Sequence, residues 1–269
     1  MRDGHMSVET AELELLAESL RKTMATHSGA ALDTALADLG WPEMLAETPG
    51  ETVPLVFRLL GESGAHAPVL NDVVLHVAGG SLGGTVALPY AGGAWVVWER
   101  ADSPATGSGL DGELPLRSAP AGEPVPLAAG RLALGWWLVG TSRAMLTLAR
   151  EHALDRVQFG RPLASFQAVR HRLAEALVAV EGAEATLRAA DDDLGSLLAK
   201  AAAGRAALTA ALHCQQILGG IGFTAEHDLH RHVRRAYVLD GLLGSARELT
   251  REAGALLRER GTAPRLANL

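Results

Sequence analysis

The chain has 269 residues, of which 48% are hydrophobic and 20% charged, with a formal net charge of -7 at pH 7. This composition predicts a globular protein with enough chain to bury a core, and its apolar runs fall short of the ~20 residues that a membrane-spanning helix needs. The acidic balance argues against sequence-independent nucleic-acid binding, which depends on a basic surface.

The single cysteine, Cys214, excludes an intrachain disulfide framework. The first residues lack the basic segment followed by an apolar core that marks a secretory signal, so we expect no such signal. Together these features favour a cytoplasmic location.

Residues 7–75 are predicted to form an N-terminal helical domain, because apolar residues recur there at three- and four-residue spacings. In the first helix the acidic residues lie early and the basic residues late, which complements the helix dipole. Gly40-Trp41-Pro42 predicts a helix end, since glycine favours the C-cap and proline cannot continue a helix. Helices are expected over 9–26, 31–39 and 52–64, with a further apolar stretch over 67–75.

Residues 76–128 are predicted to form a small β domain. Short runs rich in valine, tryptophan and leucine, at 85–88 and 94–98, are separated by clusters of glycine, proline and serine. The region has room for four or five strands of roughly five residues each.

Residues 129–260 are predicted to form a bundle of four or five antiparallel helices, followed by a tail over 261–269. The first helix is apolar on all sides, which indicates a central, buried position. Asp191-Asp192-Asp193 interrupts the pattern between the second and third helices. The helices are expected over 132–153, 166–190, 194–218, 225–239 and 243–260.

Several motifs resemble sites of other protein classes but lack the structural setting that those sites need. The glycines of 220–225 have the spacing of a dinucleotide fingerprint but follow a helix instead of a strand, and the glycine-rich residues 79–84 lack the Lys-Ser/Thr of a phosphate-binding loop. His227, His230 and His232 do not have the four-residue spacing of helical zinc sites, so we predict a solvated helix face and no metal site. No serine or cysteine is framed as a hydrolase nucleophile.

Two polar segments join the helices of the C-terminal part and expose both side chains and bare backbone. The first reads DRVQFGRP over 155–162 and continues as FQAVRHRLA over 166–174; the second reads GGIGFTAEHDLH over 219–230. In this order and spacing the two segments resemble the C-terminal helical domain of the acyl-CoA dehydrogenase family, over roughly residues 132–260.

The resemblance implies a mainly α fold with a small β region. It consists of an N-terminal helical domain, a middle β domain and a C-terminal antiparallel helical bundle. Leu39-Gly40-Trp41-Pro42 is similar to a turn of the family's N-terminal domain. Family members have a β domain about twice the size of 76–128, so this domain is predicted to be shortened.

The resemblance also implies FAD as cofactor, contacted in the family by the two polar segments of a neighbouring subunit. A guanidinium suits a pyrophosphate, an amide suits nucleotide edges, and glycine lets the backbone approach a ligand closely. The alternatives are a surface ion pair for the arginine and a helix-capping turn for the glycines. The matching residues are Arg156, Phe159, Gln167, Gln216, Gly219 and Gly220.

The resemblance places the general base at Asp240, where the family has a glutamate followed by glycine. A desolvated carboxylate would remove the α-proton of an acyl-CoA while a hydride passes from the β-carbon to the flavin. Aspartate is one methylene shorter than glutamate, and a displacement of ~1 Å can lower a rate ~100-fold. Leu242 also replaces the family's usual hydroxyl residue. The alternative role for Asp240 is an N-cap for the helix that begins near residue 243.

The residues that the family offers across a subunit interface are retained, whereas the β domain is small. This combination favours a chain that contributes to the cofactor site of a partner subunit. The hypothesis is a small subunit of a heteromeric acyl-CoA dehydrogenase, similar to the α2β2 enzymes that actinobacteria use on CoA esters of steroid side chains. Its partners would be a longer subunit of the family, an acyl-CoA substrate and electron-transfer flavoprotein or a similar acceptor. The alternatives are a homo-oligomeric dehydrogenase with Asp240 as base and a non-catalytic scaffold of the same fold.

Overall fold

A computed structural model describes residues 3–101 and 111–263 of the chain. Within these ranges the protein is mainly α-helical, with one small sheet and one short hairpin. The helices are α1 (Asp3–Thr26), α2 (Ala30–Asp38), α3 (Trp41–Glu47), α4 (Pro49–Ser63), α5 (Val69–Val77), α6 (Ala128–Asp155), α7 (Gln167–Ala189), α8 (Asp193–Leu218), α9 (Leu229–Gly241) and α10 (Ala246–Arg260). The strands are β1 (Ala87–Tyr90), β2 (Ala94–Trp98), β3 (Leu116–Ser118), β4 (Val157–Gln158) and β5 (Arg161–Pro162).

The helix end predicted at Gly40 is confirmed, because α2 ends at Asp38 and Gly40 adopts a left-handed φ of 86°. Helix α3, however, was not predicted. Pro42 lies in its first turn, where the missing N–H of proline is tolerated. The same three residues therefore end one helix and start the next.

The sheet is antiparallel, with strand order β1-β2-β3. Leu88 lies opposite Val96, and Val97 lies opposite Arg117. Strand β2 coincides with the predicted run 94–98, whereas β1 begins two residues later than the predicted run 85–88. The described part of 76–128 holds three strands rather than the four or five expected, and residues 102–110 of this region lie outside the described ranges.

Helix α6 occupies the centre of the core, and its residues 133–142 are buried on all sides, as predicted. Its C-terminal half has an exposed face that includes Thr147 and Arg150. The ring of its Trp137 packs between Trp98 of β2 and Phe57 of α4, with centroid distances of 5.5 Å and 5.7 Å. Helices α4 and α6 approach each other closely at Gly61 and Gly140. A Cβ at Gly140 would lie 2.0 Å from a backbone oxygen of α4, so only glycine fits there.

Helices α6 to α10 follow one another through the connecting segments 156–166, 190–192, 219–228 and 242–245. The predicted break at 191–193 is confirmed, and the Asp192 side chain caps α8 by accepting from the Gly195 N–H at 2.6 Å. Helix α9 begins at Leu229, four residues later than predicted, because a turn precedes it in which His227 Nδ1 accepts from the Leu229 N–H. One hydrophobic core extends from α1 to α9. The domain limits at residues 75 and 128 stay predictions. No helix in the described ranges is long and apolar enough to cross a bilayer.

Candidate functional site

A cavity of about 620 Å³ lies where the end of α6, the start of α7 and the end of α8 meet. We call it the hinge cavity. Its polar wall is formed by His152, Arg156, Gln158, Arg172 and Gln216, and its floor by the backbone around Gly219 and Gly220, with Leu163, Ala168, Val169, Ile217, Leu218 and Ile221 completing the lining.

A two-residue hairpin between β4 and β5 forms one edge of this region. Phe159 and Gly160 have φ values of 54° and 76°, as a type I′ turn requires at both central positions. The hairpin is anchored at its base, where the Leu163 N–H donates to the Arg156 oxygen at 2.9 Å. The guanidinium of Arg161 lies 4.2 Å from the centre of the Phe166 ring, a cation–π contact that holds the returning strand.

The glycines at the end of α8 leave open space toward the cavity. Gly219 is the C-cap of α8, with φ 64° and ψ -138°, a conformation that side chains disfavour. Gly220 has no such restriction. A Cβ at either position would meet nothing within 4 Å. The capping role predicted as an alternative is thus seen at Gly219, whereas at Gly220 the absent side chain leaves room for a ligand.

The charge of the lining is positive. Arg156 and Arg172 both line the cavity, and among the described residues no carboxylate does. Among the residues that the structure describes, Arg156 has no ion-pair partner, which disfavours the surface ion pair considered for it. Burial, together with the charges of His227 and Arg156, lowers the pKa of His152. In the first turn of α7 the Val169 and Arg170 N–H groups donate to the Phe166 oxygen. The N–H groups of Gln167 and Ala168 have no acceptor within the described ranges, an arrangement that favours anions.

The structure brings together four of the six predicted cofactor residues. Arg156, Gln216, Gly219 and Gly220 line the hinge cavity. Phe159 stands at the tip of the hairpin with 90% of its surface exposed, outside the lining. The sixth, Gln167, is exposed as the first residue of α7, next to the lining residues Ala168 and Val169.

Asp240 lies near the end of α9, away from the hinge cavity lining. Its Oδ1 accepts from the Ala246 N–H at 3.1 Å, and Gly204 of α8 makes room for it, since a Cβ there would lie 2.1 Å from this oxygen. Burial raises the pKa of the Asp240 carboxyl, and the charge of Lys200 opposes the rise.

The alternative prediction, that Asp240 is the N-cap of the following helix, is wrong. The N-cap of α10 is Ser245, whose hydroxyl accepts from the Glu248 N–H while the Glu248 carboxylate accepts from the Ser245 N–H. Asp240 instead satisfies the N–H of Ala246, the first residue of that helix. It therefore supports the helix start from outside the capping box.

Two residues beside Asp240 were missed by the sequence analysis. Lys200 of α8 is fully buried and donates to the backbone oxygens of Asp240 at 2.8 Å and Gly244 at 2.6 Å. Tyr90 of β1 lies over Gly241, where a Cβ would be 2.4 Å from its ring. A lysine within the alanine-rich helix α8 could have been noticed in the sequence as an unusual buried charge. The contact between Tyr90 and Gly241 could not, because it depends on two segments that are distant in the sequence.

The predicted solvated helix face is wrong for His232, whereas His227 and His230 are half-buried. His232 is only 8% exposed and lines a separate cavity of about 660 Å³ between α4, α6, α7 and α9. Burial lowers its pKa to about 4, and the charge of Arg235 contributes to the same effect. The described residues contain no cluster of three or more possible metal ligands.

Comparison with known proteins places this architecture in a family. Residues 125–255 match the model of the acyl-CoA dehydrogenase C-terminal domain. The chain contains an acyl-CoA dehydrogenase C-terminal domain. It is 39% identical to acyl-CoA dehydrogenase FadE34 of Mycobacterium tuberculosis over 211 residues, which are 69% of this chain and 29% of that protein. The chain thus spans less than a third of the length of this relative.

Solved structures of acyl-CoA dehydrogenases share the fold along most of the chain. A variant of the Tcur3481-Tcur3483 steroid ACAD superposes with a TM-score of 0.74 and 20% identity, covering 96% of this chain and 99% of that one. The ChsE4-ChsE5 complex from Mycobacterium tuberculosis gives a TM-score of 0.67 at 21% identity, covering 95% and 98%. The mainly α fold with a small β region is therefore confirmed.

Proposed function

We propose that this chain is one subunit of a heteromeric, FAD-dependent acyl-CoA dehydrogenase and that its hinge cavity holds the nucleotide tail of FAD. The reaction is the α,β-dehydrogenation of an acyl-CoA thioester. One observation carries the proposal: Arg156, Gln216, Gly219 and Gly220 come from two separate segments and line a single cavity, to which the described part of the chain contributes no carboxylate.

The residues of the hinge cavity fit the nucleotide part of FAD. The Arg156 guanidinium is free to pair with a phosphate, and the exposed Gln216 amide offers both a donor and an acceptor for a nucleotide edge. The open space above Gly220 lets a ligand approach the backbone. When bound, FAD supplies the acceptor for the hydride that leaves the β-carbon of the substrate. Phe159 and Gln167 would contact the cofactor from the rim of the cavity.

The heteromeric form of the proposal is supported by two observations. The described part of the middle region has a sheet of three short strands, smaller than the β domain of the resemblance. The similar folds include a component of the ChsE4-ChsE5 complex and one of the Tcur3481-Tcur3483 steroid ACAD. We therefore propose a longer acyl-CoA dehydrogenase subunit as partner in an α2β2 assembly, a steroid side-chain CoA ester as substrate, and electron-transfer flavoprotein or a similar acceptor.

Flavin content tests the proposal. The chain should be colourless when purified alone and yellow when co-expressed with a longer acyl-CoA dehydrogenase subunit from the same genome. Gly220→Val should lower the flavin content of that complex, because the new side chain would occupy the free space of the cavity. The matched control is Gly254→Val in α10, where a Cβ also meets nothing within 4 Å but no hinge cavity lies nearby. A homo-oligomeric enzyme would be yellow alone, and a scaffold would show no effect of Gly220→Val.

Asp240 is proposed as the general base. Burial raises the pKa of its carboxyl, which makes the carboxylate a better proton acceptor. The Ala246 N–H holds Oδ1, whereas Oδ2 makes no hydrogen bond within the described ranges and is available for the α-proton. Asp240→Asn should abolish turnover of the co-expressed complex at unchanged flavin content, since asparagine keeps the bond to Ala246. Retained turnover would assign the base to a carboxylate of the partner.

A further inference from the structure

The hinge cavity contains a second guanidinium, which is not among the six predicted cofactor residues. Arg172 of α7 lines the cavity together with Arg156. Its Nη1 lies 3.3 Å from Nδ1 of His213 on α8, and Nε2 of the same ring lies 3.3 Å from the Glu175 carboxylate. Three side chains from two helices therefore form one connected group, of which Arg172 lines the cavity.

The chemistry of these contacts fixes the direction of each hydrogen bond. Arginine has only donors, so Nδ1 of His213 must accept from Arg172. The ring is then neutral, with its proton on Nε2, and that N–H donates to Glu175. The carboxylate thereby orients the imidazole, and the imidazole orients the guanidinium, as outer partners orient the ligands of a metal. Only one of the five N–H donors of Arg172 is used in this way.

The remaining donors of Arg172 have no carboxylate to pair with. Glu175 is bonded to His213, and no other acidic residue within the described ranges forms an ion pair with Arg172. A guanidinium that is partly buried in a cavity wall is stabilised by an anion that enters the cavity. Arg156 and Arg172 supply two positive charges, which match the two negative charges of a diphosphate ester.

We infer that Arg172 is a second phosphate-binding residue of the hinge cavity, positioned by His213 and Glu175, and that the cavity recognises the diphosphate of a nucleotide. The inference rests on the proposed function, because it assigns a residue to the same ligand. The inference adds Arg172 to the six predicted cofactor residues. It also assigns the diphosphate, rather than the base, as the part of the nucleotide that the cavity binds most strongly.

Binding of ADP to the full chain, measured by titration calorimetry, tests this inference. Arg172→Ala should weaken ADP binding about 10-fold to 100-fold, the loss expected for a hydrogen bond between charged groups. Binding of adenosine should stay unchanged, and Arg172→Lys should recover part of the affinity for ADP. ADP binding should also depend less on salt in Arg172→Ala than in the wild type, because one screened charge pair is gone. His213→Ala should have a smaller effect, since the charge remains but loses its orientation.

The control is Arg170→Ala, two residues earlier on the exposed side of α7 and outside the cavity lining. If Arg172→Ala binds ADP like the wild type while Arg156→Ala is weakened, the inference is wrong and the proposed function stands. An equal loss in Arg170→Ala would mean a general charge effect and would also overturn it. If the wild-type chain does not bind ADP, the inference is wrong, and the flavin content of co-expressed complexes carrying Arg156→Ala decides the proposed function separately.

Discussion

Replacing Lys200 by methionine is expected to remove a pH dependence from the stability of the protein. Lys200 is fully buried, and burial lowers its pKa from 10.5 to about 7. Between these two values the unfolded chain binds a proton that the folded chain does not. The free energy of unfolding therefore rises with pH in this window. The destabilisation is complete below about pH 7 and disappears toward pH 10.5.

The size of the effect follows from the same pKa values. Each pH unit inside the window contributes up to about 1.4 kcal/mol, and the rise between about pH 7 and about pH 9 amounts to about 2 kcal/mol. Lys200→Met removes this titration. It also leaves the backbone oxygens of Asp240 and Gly244 without their donor, a loss that does not vary with pH in this range.

Denaturant unfolding of the wild type and of Lys200→Met at several pH values between about 7 and 9 measures the effect. The difference in unfolding free energy between the two proteins should change by about 2 kcal/mol across this range. Titrating groups that do not interact with Lys200 are the same in both proteins and cancel in the difference. The matched control is Lys22→Met, because Lys22 is the only other lysine and its side chain is 76% exposed. Parallel pH profiles for the wild type and Lys200→Met would refute the reasoning.

Two further substitutions test the packing and capping described above. Gly140→Ala should destabilise the protein by about 3 kcal/mol or more, because the new Cβ would lie 2.0 Å from the Arg58 oxygen, and a thermal melt measures the loss. Gly182→Ala on the exposed side of α7 is its control and should be neutral or stabilising by up to about 1 kcal/mol; equal melting temperatures for the two variants would contradict the close approach of α4 and α6. Ser245→Ala should lower the unfolding free energy by about 1 kcal/mol through loss of the capping box, and an unchanged denaturant midpoint would argue against that role.

The fold could be predicted where local signals act alone. Strand β2 was predicted at its observed limits because a run of tryptophan and valine, which favour strands, follows the glycines at 92–93. The buried character of α6 followed from its apolar residues on all sides. Helix α3 was missed because Gly40-Trp41-Pro42 was interpreted only as the end of α2. A proline in the first turn is equally compatible with the start of a new helix, and α3 begins at Trp41.

The candidate site could be predicted only in part, for a physical reason. Its motif residues lie in two segments that can be compared with a known family, so Arg156 and Gln216 were found. Arg172 was not, because its orientation depends on His213, which lies 41 positions away in the sequence on another helix. The hydrogen bonds of Lys200 to the Asp240 oxygen at the end of α9 and to the Gly244 oxygen in the α9–α10 connection likewise appear only after folding.

The hairpin between β4 and β5 carries a further consequence. Phe159 adopts a left-handed backbone conformation at a tight two-residue turn, and its ring is 6.2 Å from that of Phe166. An open loop would lose many conformations when such an aromatic tip is buried by another molecule. A hairpin already fixed at both central residues loses few, so more of the gain from burying the ring remains as affinity. Little conformational entropy is therefore lost when another molecule covers the Phe159 ring.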